Sequence, residues 1–159
     1  MMRGFKVLLL LPAFLFAGKL EKYRFPELTD QTGEWARDPY KIPYFVQVDM
    51  NGDNTRDSAW IMIRRGDTTG ALVLMVSGKT GFDTLVYDLI ESPQSKGIEL
   101  LEKGKHPTLC GKEGRCFDTN LKTLNMKYDG VLYYFFGSST RMIYWDEKEG
   151  KVKDVWESD

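Results

Sequence analysis

Acidic and amide side chains alternate along one short stretch of the chain, at a spacing that suits metal binding. The oxygen-bearing residues at relative positions 1, 3, 5, 7 and 9 are Asp49, Asn51, Asp53, Thr55 and Asp57. Calcium is a hard cation that takes about six to eight oxygen ligands, and alternate residues of a tightly curled loop can supply them. The stretch therefore predicts a calcium site, with Thr55 contributing its carbonyl and Asp57 binding directly or through water. The alternative is an Asx-rich hairpin turn that needs no ion.

The residues around this loop indicate which kind of calcium site it would be. An EF-hand loop needs a bidentate Glu at position 12, and that position holds Trp60. The flanking segments, residues 44–48 and 58–63, are rich in aromatic and β-branched residues, which favour strands over helices. The sequence therefore predicts a strand, a loop and a second strand. Gly52 and Asn54 are expected to ease the bend, because both tolerate left-handed backbone.

Residues 45–64 resemble the calcium-loop hairpins of FG-GAP and VCBS-type repeats. The pattern Asp-x-Asp/Asn-x-Asp-Gly-x-x-Asp is met at Asp49, Asn51, Asp53 and Asp57, with Asn54 in place of the usual Gly. More loosely, the chain is similar to small exported bacterial proteins that carry one such loop and a C-terminal Tyr-Trp-Asp hairpin, a group that implies no particular activity. Repeat architectures need several stacked units, so a single copy of the loop does not imply a propeller.

The N-terminus has the pattern of a secretory signal. Arg3 and Lys6 precede an apolar run at residues 7–17, which is shorter than the roughly 20 residues that a membrane-spanning helix needs. The sequence therefore predicts a signal peptide at residues 1–18 and a single β-rich domain at residues 19–159. We expect export to the periplasm or the extracellular space, with no stable membrane span after the signal is removed.

The charge pattern argues against nucleic acid as a partner. The chain has 22 Lys and Arg residues against 23 Asp and Glu, a net charge of −1, and removal of the signal makes it more acidic. Proteins that bind phosphate backbones cluster their cations on one face, whereas both signs are interspersed here.

Two cysteines, Cys110 and Cys116, enclose a flexible segment that contains two glycines. An oxidising compartment favours a disulfide between them, which would add about 2 kcal/mol by the chain-entropy argument. A zinc site would need more Cys or His ligands than these two and the lone His106 supply, and a thioredoxin-type pair has two intervening residues rather than five.

The hydrophobic pattern after residue 43 is mostly that of short strands. Alternation and turn residues predict strands at 44–48, 59–64, 71–76, 82–90, 97–101, 130–136, 141–146 and 151–156. A short helix is predicted within residues 27–37, and residues 92–125 have the least regular pattern. The fold class is therefore mainly β, an antiparallel twisted sheet or small sandwich, with an α+β layer as the alternative.

The C-terminal hairpins are unusually rich in aromatic residues. The aromatic side chains on one face of these hairpins could either pack in the core or form a surface that binds a partner. The candidate partner surface consists of Tyr133, Phe135, Trp145 and Trp156. A protein, a peptide or a carbohydrate would suit such a surface. Packing in the core is the ordinary role of such residues in small β domains.

The catalytic inventory is sparse, since His106 is the only histidine and no Gly-x-Ser-x-Gly elbow accompanies it. The leading hypothesis is an exported, non-enzymatic binding or accessory domain with one structural calcium ion. The alternatives are a periplasmic inhibitor or immunity protein, and a hydrolase that uses the same carboxylates to hold a catalytic metal.

Overall fold

The computed structural model describes residues 20–38, 41–116 and 121–159. The signal peptide predicted at residues 1–18 lies outside these ranges. The fold is mainly β with antiparallel sheets, as the sequence predicts. The strands are β1 (Tyr23–Arg24), β2 (Phe45–Val48), β3 (Asp57–Arg64), β4 (Gly70–Gly78), β5 (Gly81–Ile90), β6 (Lys96–Leu101), β7 (Gly104–Pro107), β8 (Thr123–Met126), β9 (Gly130–Phe135), β10 (Thr140–Asp146) and β11 (Lys151–Ser158).

Two larger sheets and one small sheet contain these strands. The first sheet has the order β1-β3-β4-β5, and β2 also pairs with β3 beside β1. The second sheet has the order β11-β10-β9-β6, while β7 and β8 form a separate pair. Every pairing is antiparallel, so β3-β4-β5 and β9-β10-β11 are meanders built from consecutive hairpins.

The two larger sheets share one hydrophobic core, as in a small sandwich. Strand residues alternate between the two faces of a sheet, so Ala59, Ile61 and Ile63 of β3 all lie on the buried face. The core includes residues from both sheets and one tryptophan from the N-terminal segment: Trp35, Val48, Met50, Ala59, Ile61, Ile63, Leu72, Leu74, Val76, Ile90, Ile98, Val131, Tyr133 and Ile143.

A second cluster lies on the outer face of the β9–β10–β11 meander. Leu124 and Met126 of β8 cover Met142, Val155 and Leu101 there. The small β7–β8 sheet therefore forms a partial third layer, which buries apolar side chains that the alternation of β10 and β11 places away from the main core.

The helix predicted within residues 27–37 is present as two 3-10 helices, Leu28–Asp30 and Gly33–Ala36. Thr32 is extended and Gly33 has a left-handed φ of +57°, so the backbone cannot continue as one helix between them. The second 3-10 helix anchors the segment, because Trp35 enters the core and its indole nitrogen donates to the Lys96 carbonyl at 2.7 Å.

The region with the least regular sequence pattern contains short elements that the pattern did not show. Strands β7 and β8 flank an α-helix, α1 (Leu109–Glu113), which follows the N-cap Thr108 and ends at the left-handed Gly114. The predicted disulfide is confirmed, since Cys110 in α1 is bonded to Cys116 just beyond it. Within the described ranges, no helix is long and apolar enough to cross a membrane.

Candidate metal centre

The predicted calcium loop connects β2 to β3 at the edge of the first sheet. The ladder between the two strands runs from Phe45 opposite Trp60 to Val48 opposite Asp57, so the loop closes a hairpin. Gly52 and Asn54 have φ values of +76° and +62°, which confirms the prediction that these two positions carry the bend.

The loop's side chains hold its backbone in place. The two carboxylate oxygens of Asp49 accept the N–H groups of Gly52 at 2.8 Å and Asn54 at 3.1 Å. Asn51 Oδ1 accepts from the Asp53 N–H at 3.1 Å, and Asp53 Oδ1 accepts from the Thr55 N–H at 2.7 Å. These are Asx turns, in which a side chain replaces a backbone acceptor two residues away. The oxygens of positions 1, 3 and 5 therefore already face the inside of the loop.

Asp57 differs from the other acidic residues of the loop because it is 1% exposed. Its Oδ2 accepts the Met50 N–H at 2.8 Å, and its Oδ1 accepts both the backbone N–H and the hydroxyl of Ser77, at 2.7 and 2.6 Å. A buried carboxylate is tolerated only when donors such as these satisfy it. Asp57 thus ties the start of the loop to β4, and Oδ2, with the Met50 N–H as its one donor, keeps a further lone pair.

The hydroxyl of Ser77 joins two carboxylates. Ser77 Oγ lies 2.6 Å from Asp57 Oδ1 and 2.8 Å from Asp53 Oδ2, yet a hydroxyl has a single proton to donate. One of the two carboxylates must therefore face the Ser77 oxygen without a proton between them. A cation at this point would neutralise the excess of negative charge.

The pKa of the Asp53 carboxyl is lowered, first because it accepts the Thr55 N–H and then because it accepts the Ser77 hydroxyl. Bonds to the ionised form favour that form, so Asp53 is held as a carboxylate. This is the protonation state that a metal ligand needs.

An aromatic ring covers the middle of the loop. Gly52 packs so closely against Tyr128 that a Cβ at this position would overlap the ring. The Tyr128 hydroxyl donates to Glu147 at 3.0 Å, and Lys127 donates to the same carboxylate oxygen at 2.7 Å. Turns from the second sheet thereby hold the ring over a loop of the first sheet, a contact that no local sequence pattern indicates.

The fit of the loop to calcium is partial. Asp49, Asn51 and Asp53 direct oxygens inward, and Thr55 follows them on the same loop and donates its N–H to Asp53. Within the described ranges, however, no group of three or more His, Cys, Asp and Glu side chains is placed together to hold a metal ion. The carboxylate of Asp57, in particular, is engaged with Met50 and Ser77.

The prediction that Tyr133 belongs to a partner surface on the C-terminal hairpins is wrong, because its side chain is completely buried. Tyr133 belongs to the face of β9 that points between the two sheets, while Leu132 lies on the opposite face and joins the second cluster. Phe135 and Trp145 are half-buried against the main core, and Trp156 is half-buried under the guanidinium of Arg141 at 4.1 Å.

Large exposed apolar side chains occur elsewhere on the described surface. They are Phe25, Leu28, Ile42, Phe82, Leu85, Leu89, Leu100 and Leu121.

His106 lies on β7, where its Nε2 is 2.8 Å from the Glu102 carbonyl oxygen and therefore carries the proton that it donates. This bond orients the ring toward its own turn.

The fold and the loop together define an antiparallel β domain with an Asx-rich hairpin loop. Comparisons of the chain with protein-family models, with curated proteins and with solved structures find no match.

Proposed function

We propose that the protein is an exported, non-enzymatic binding or accessory domain whose β2–β3 hairpin holds one structural calcium ion. The observation that carries the proposal is the pair of carboxylates, Asp53 and Asp57, that share the single proton of the Ser77 hydroxyl. Three further oxygens face the inside of the loop beside them, two from Asp49 and one from Asn51. The disulfide between Cys110 and Cys116 supports the exported location, because such bonds persist in oxidising compartments.

Four residues would hold the ion: Asp49, Asn51 and Asp53 by their side chains, and Thr55 by its carbonyl. Asp57 would contribute through the remaining lone pair of Oδ2 or through water. The ion supplies charge neutralisation and a fixed geometry to the loop. The loop contacts β4 through Ser77 and the second sheet through Tyr128, so fixing it stabilises the junction of both sheets.

The arrangement favours a structural ion over a catalytic one. A catalytic metal keeps an open position for water or substrate, and its site lies in a concave surface. Here the Tyr128 ring packs directly on Gly52 and β4 contacts the loop through Ser77, while residues 53–56 are exposed and line neither of the two depressions between the N-terminal segment and the second sheet. The inhibitor and the hydrolase hypotheses stay predictions of the sequence alone.

The test is the dependence of thermal unfolding on calcium. At free calcium about 100 times the dissociation constant, binding adds about 2.7 kcal/mol to the free energy of unfolding. For a domain of this size we expect the melting temperature to rise by about 5 to 10 °C relative to protein in EDTA. Differential scanning calorimetry of the mature protein measures it, with magnesium as the control ion.

Asp53→Ala should abolish the calcium-dependent rise, and Asp83→Ala, which removes an exposed carboxylate on β5, should leave it intact. Asp53→Ala also removes the hydrogen bonds that its carboxylate accepts from Thr55, Ser77 and Asn51, so the readout is the difference between calcium and EDTA rather than the melting temperature itself. Equal melting temperatures in calcium and EDTA for the unmodified protein would contradict the proposal.

A further inference from the structure

A cleft of about 550 Å³ lies between the N-terminal segment and the β9–β10 hairpin. Its walls come from positions 34, 35, 37, 38, 41 and 43 on one side and from positions 132, 134–138 and 140 on the other, with Glu99 of β6 between them in the fold. A smaller depression of about 230 Å³ shares Tyr134 with the cleft and is also lined by Ile42 and Leu100. Ligand sites in proteins have volumes of about 300 to 1,000 Å³, so the main cleft has the size of a small-ligand site.

Two of the aromatic rings that line the cleft lie at right angles to each other. Tyr134 and Phe136 have centroids 5.1 Å apart and an interplanar angle of 87°. The Tyr134 ring covers Gly97 of the neighbouring strand β6, where any Cβ would overlap it. Because Gly97 lacks a side chain, the ring rests on the backbone and is held in one orientation. The cleft therefore has a rigid aromatic wall that does not need to be ordered by a ligand.

The polar groups of the cleft are mixed in sign. Glu34 and Arg37 form an ion pair at 2.9 Å, and Lys41 and Glu99 line the cleft beyond them. The acidic residues of the lining, Glu34, Asp38 and Glu99, outnumber the basic ones by one. Ser138 and Thr140 bring hydroxyls to the same lining. A phosphorylated or otherwise anionic ligand would meet no excess of positive charge here, which favours a neutral ligand.

The cleft is poorly arranged for a peptide that would extend the sheet. Strand β6 is the edge of the second sheet, but its Ile98 N–H already donates to the Pro43 carbonyl at 2.7 Å. Strand addition obtains its affinity from a row of free main-chain groups. The Ile98 N–H, in the middle of β6, is not free to pair with an added strand, so recognition in this cleft has to depend on side chains.

We infer that this cleft binds a neutral oligosaccharide. The C–H groups on one face of a pyranose carry partial positive charge and are attracted to aromatic rings, and the half-buried Tyr134 lines both the cleft and the depression beside it. Sugar hydroxyls both donate and accept, and Glu99, Lys41 and the Ser138 and Thr140 hydroxyls offer partners of both kinds. The inference rests on the proposed binding role of the domain and assigns it a site and a ligand class.

The test is a titration of the ¹⁵N-labelled, calcium-saturated mature protein, followed by amide chemical shifts. The probes are cellotetraose, maltotetraose and tetra-N-acetylchitotetraose, each raised to about 10 mM, which detects dissociation constants in the millimolar range. Shifts are expected for at least one probe at the amides of Gly97, Glu99 and Ser138.

Two variants and their controls locate the site. Tyr134→Ala should weaken binding at least about tenfold, and Glu99→Gln, at an exposed position, should weaken it severalfold without affecting folding. The controls are Tyr144→Ala, a half-buried tyrosine of the same sheet outside the cleft, and Glu102→Gln, an exposed glutamate beyond it. Both should bind as the unmodified protein does.

Three results would overturn the inference: no shifts with any of the sugars, shifts that map outside the cleft, or binding that Tyr134→Ala and Glu99→Gln leave unchanged. Binding of an extended peptide with shifts along β6 would replace the saccharide by a peptide ligand. The calcium-dependent unfolding measurement is separate, so a failed titration with an intact calcium response rejects this ligand and leaves the proposed calcium role standing.

Discussion

The carboxylate of Asp57 has a different environment from the other acidic groups of its loop. Asp49 bonds to its own loop, and the exposed Asp53 bonds to the loop and to the Ser77 hydroxyl. Asp57, by contrast, is buried and accepts from Met50 and from both the N–H and the hydroxyl of Ser77 on the neighbouring strand β4. Hydrogen bonds to a charged group contribute about 1.5 to 3 kcal/mol each, and a buried donor that loses its acceptor costs a similar amount. Asp57 therefore stabilises the fold whether or not an ion is bound.

Replacement of Asp57 by Asn should lower stability by about 3 kcal/mol, because the new amide group places a donor against the N–H groups of Met50 or Ser77. The measurement is urea unfolding in EDTA, where calcium makes no contribution. Asp83→Asn is the matched control, since it makes the same chemical change on an exposed strand residue and should change stability by less than about 0.5 kcal/mol. An Asp57→Asn protein as stable as the control would contradict the structural role of this carboxylate.

At the scale of elements, the β2–β3 loop depends on a contact with the turn before β9. Gly52 has both a left-handed φ of +76° and the Tyr128 ring directly above it. The two requirements act together, because a side chain at this position would be strained by the backbone and would also displace the ring. Tyr128 is in turn fixed by Glu147 from the β10–β11 turn.

Gly66 provides a way to separate these two effects. It has a similar φ of +87° in the β3–β4 turn, and a Cβ there would meet no atom within 4 Å. Gly66→Ala should therefore cost only the left-handed backbone strain of about 1 to 2 kcal/mol. Gly52→Ala should cost at least about 2 kcal/mol more, and the added Tyr128→Ala change should recover part of that excess. Equal losses for the two alanine variants, measured by urea unfolding, would show that the ring contact has no energetic role.

Across the whole molecule, two tyrosine–aspartate bonds link the sheets in opposite directions. Tyr87 of β5 donates to Asp154 of β11 at 2.6 Å, and Tyr133 of β9 donates to Asp88 of β5 at 3.2 Å. Burial raises the pKa of both phenols, and the neighbouring carboxylates raise it further. Both hydroxyls therefore stay protonated and continue to donate across the neutral pH range.

Loss of one inter-sheet bond should be measurable without a loss of packing. Tyr87→Phe keeps the ring and removes the donor, and we expect it to lower the free energy of unfolding by about 1 to 2 kcal/mol. Tyr144→Phe is the control, because within the described ranges the Tyr144 hydroxyl has no hydrogen-bond partner. If Tyr87→Phe unfolds at the same urea concentration as Tyr144→Phe, the bond to Asp154 adds nothing to the association of the sheets.

Much of the strand pattern was accessible from the sequence because it is local. Alternating residues such as Ala59, Ile61 and Ile63 show the period of a half-buried strand, and Gly, Asn and Asp mark the turns between strands. The short elements β7, β8 and α1 were missed, because strands of four residues and a helix of five residues carry too few periods to be recognised. The break at Gly33 was missed for a similar reason, since a glycine alone does not show which φ it adopts.

The sequence by itself determined the antiparallel β class, the Cys110–Cys116 bond and the Asx-rich loop, because each depends on residues that are close along the chain. Only the tertiary structure decided that Tyr133 is buried, since the pattern of β9 is apolar on both faces and does not show which face meets the other sheet. It also decided that Asp57 bonds to Ser77, 20 residues away, and that Tyr128 covers Gly52. Strand pairing brings such residues together, and the spacing of side chains along one strand does not specify which residues of distant segments will lie beside it.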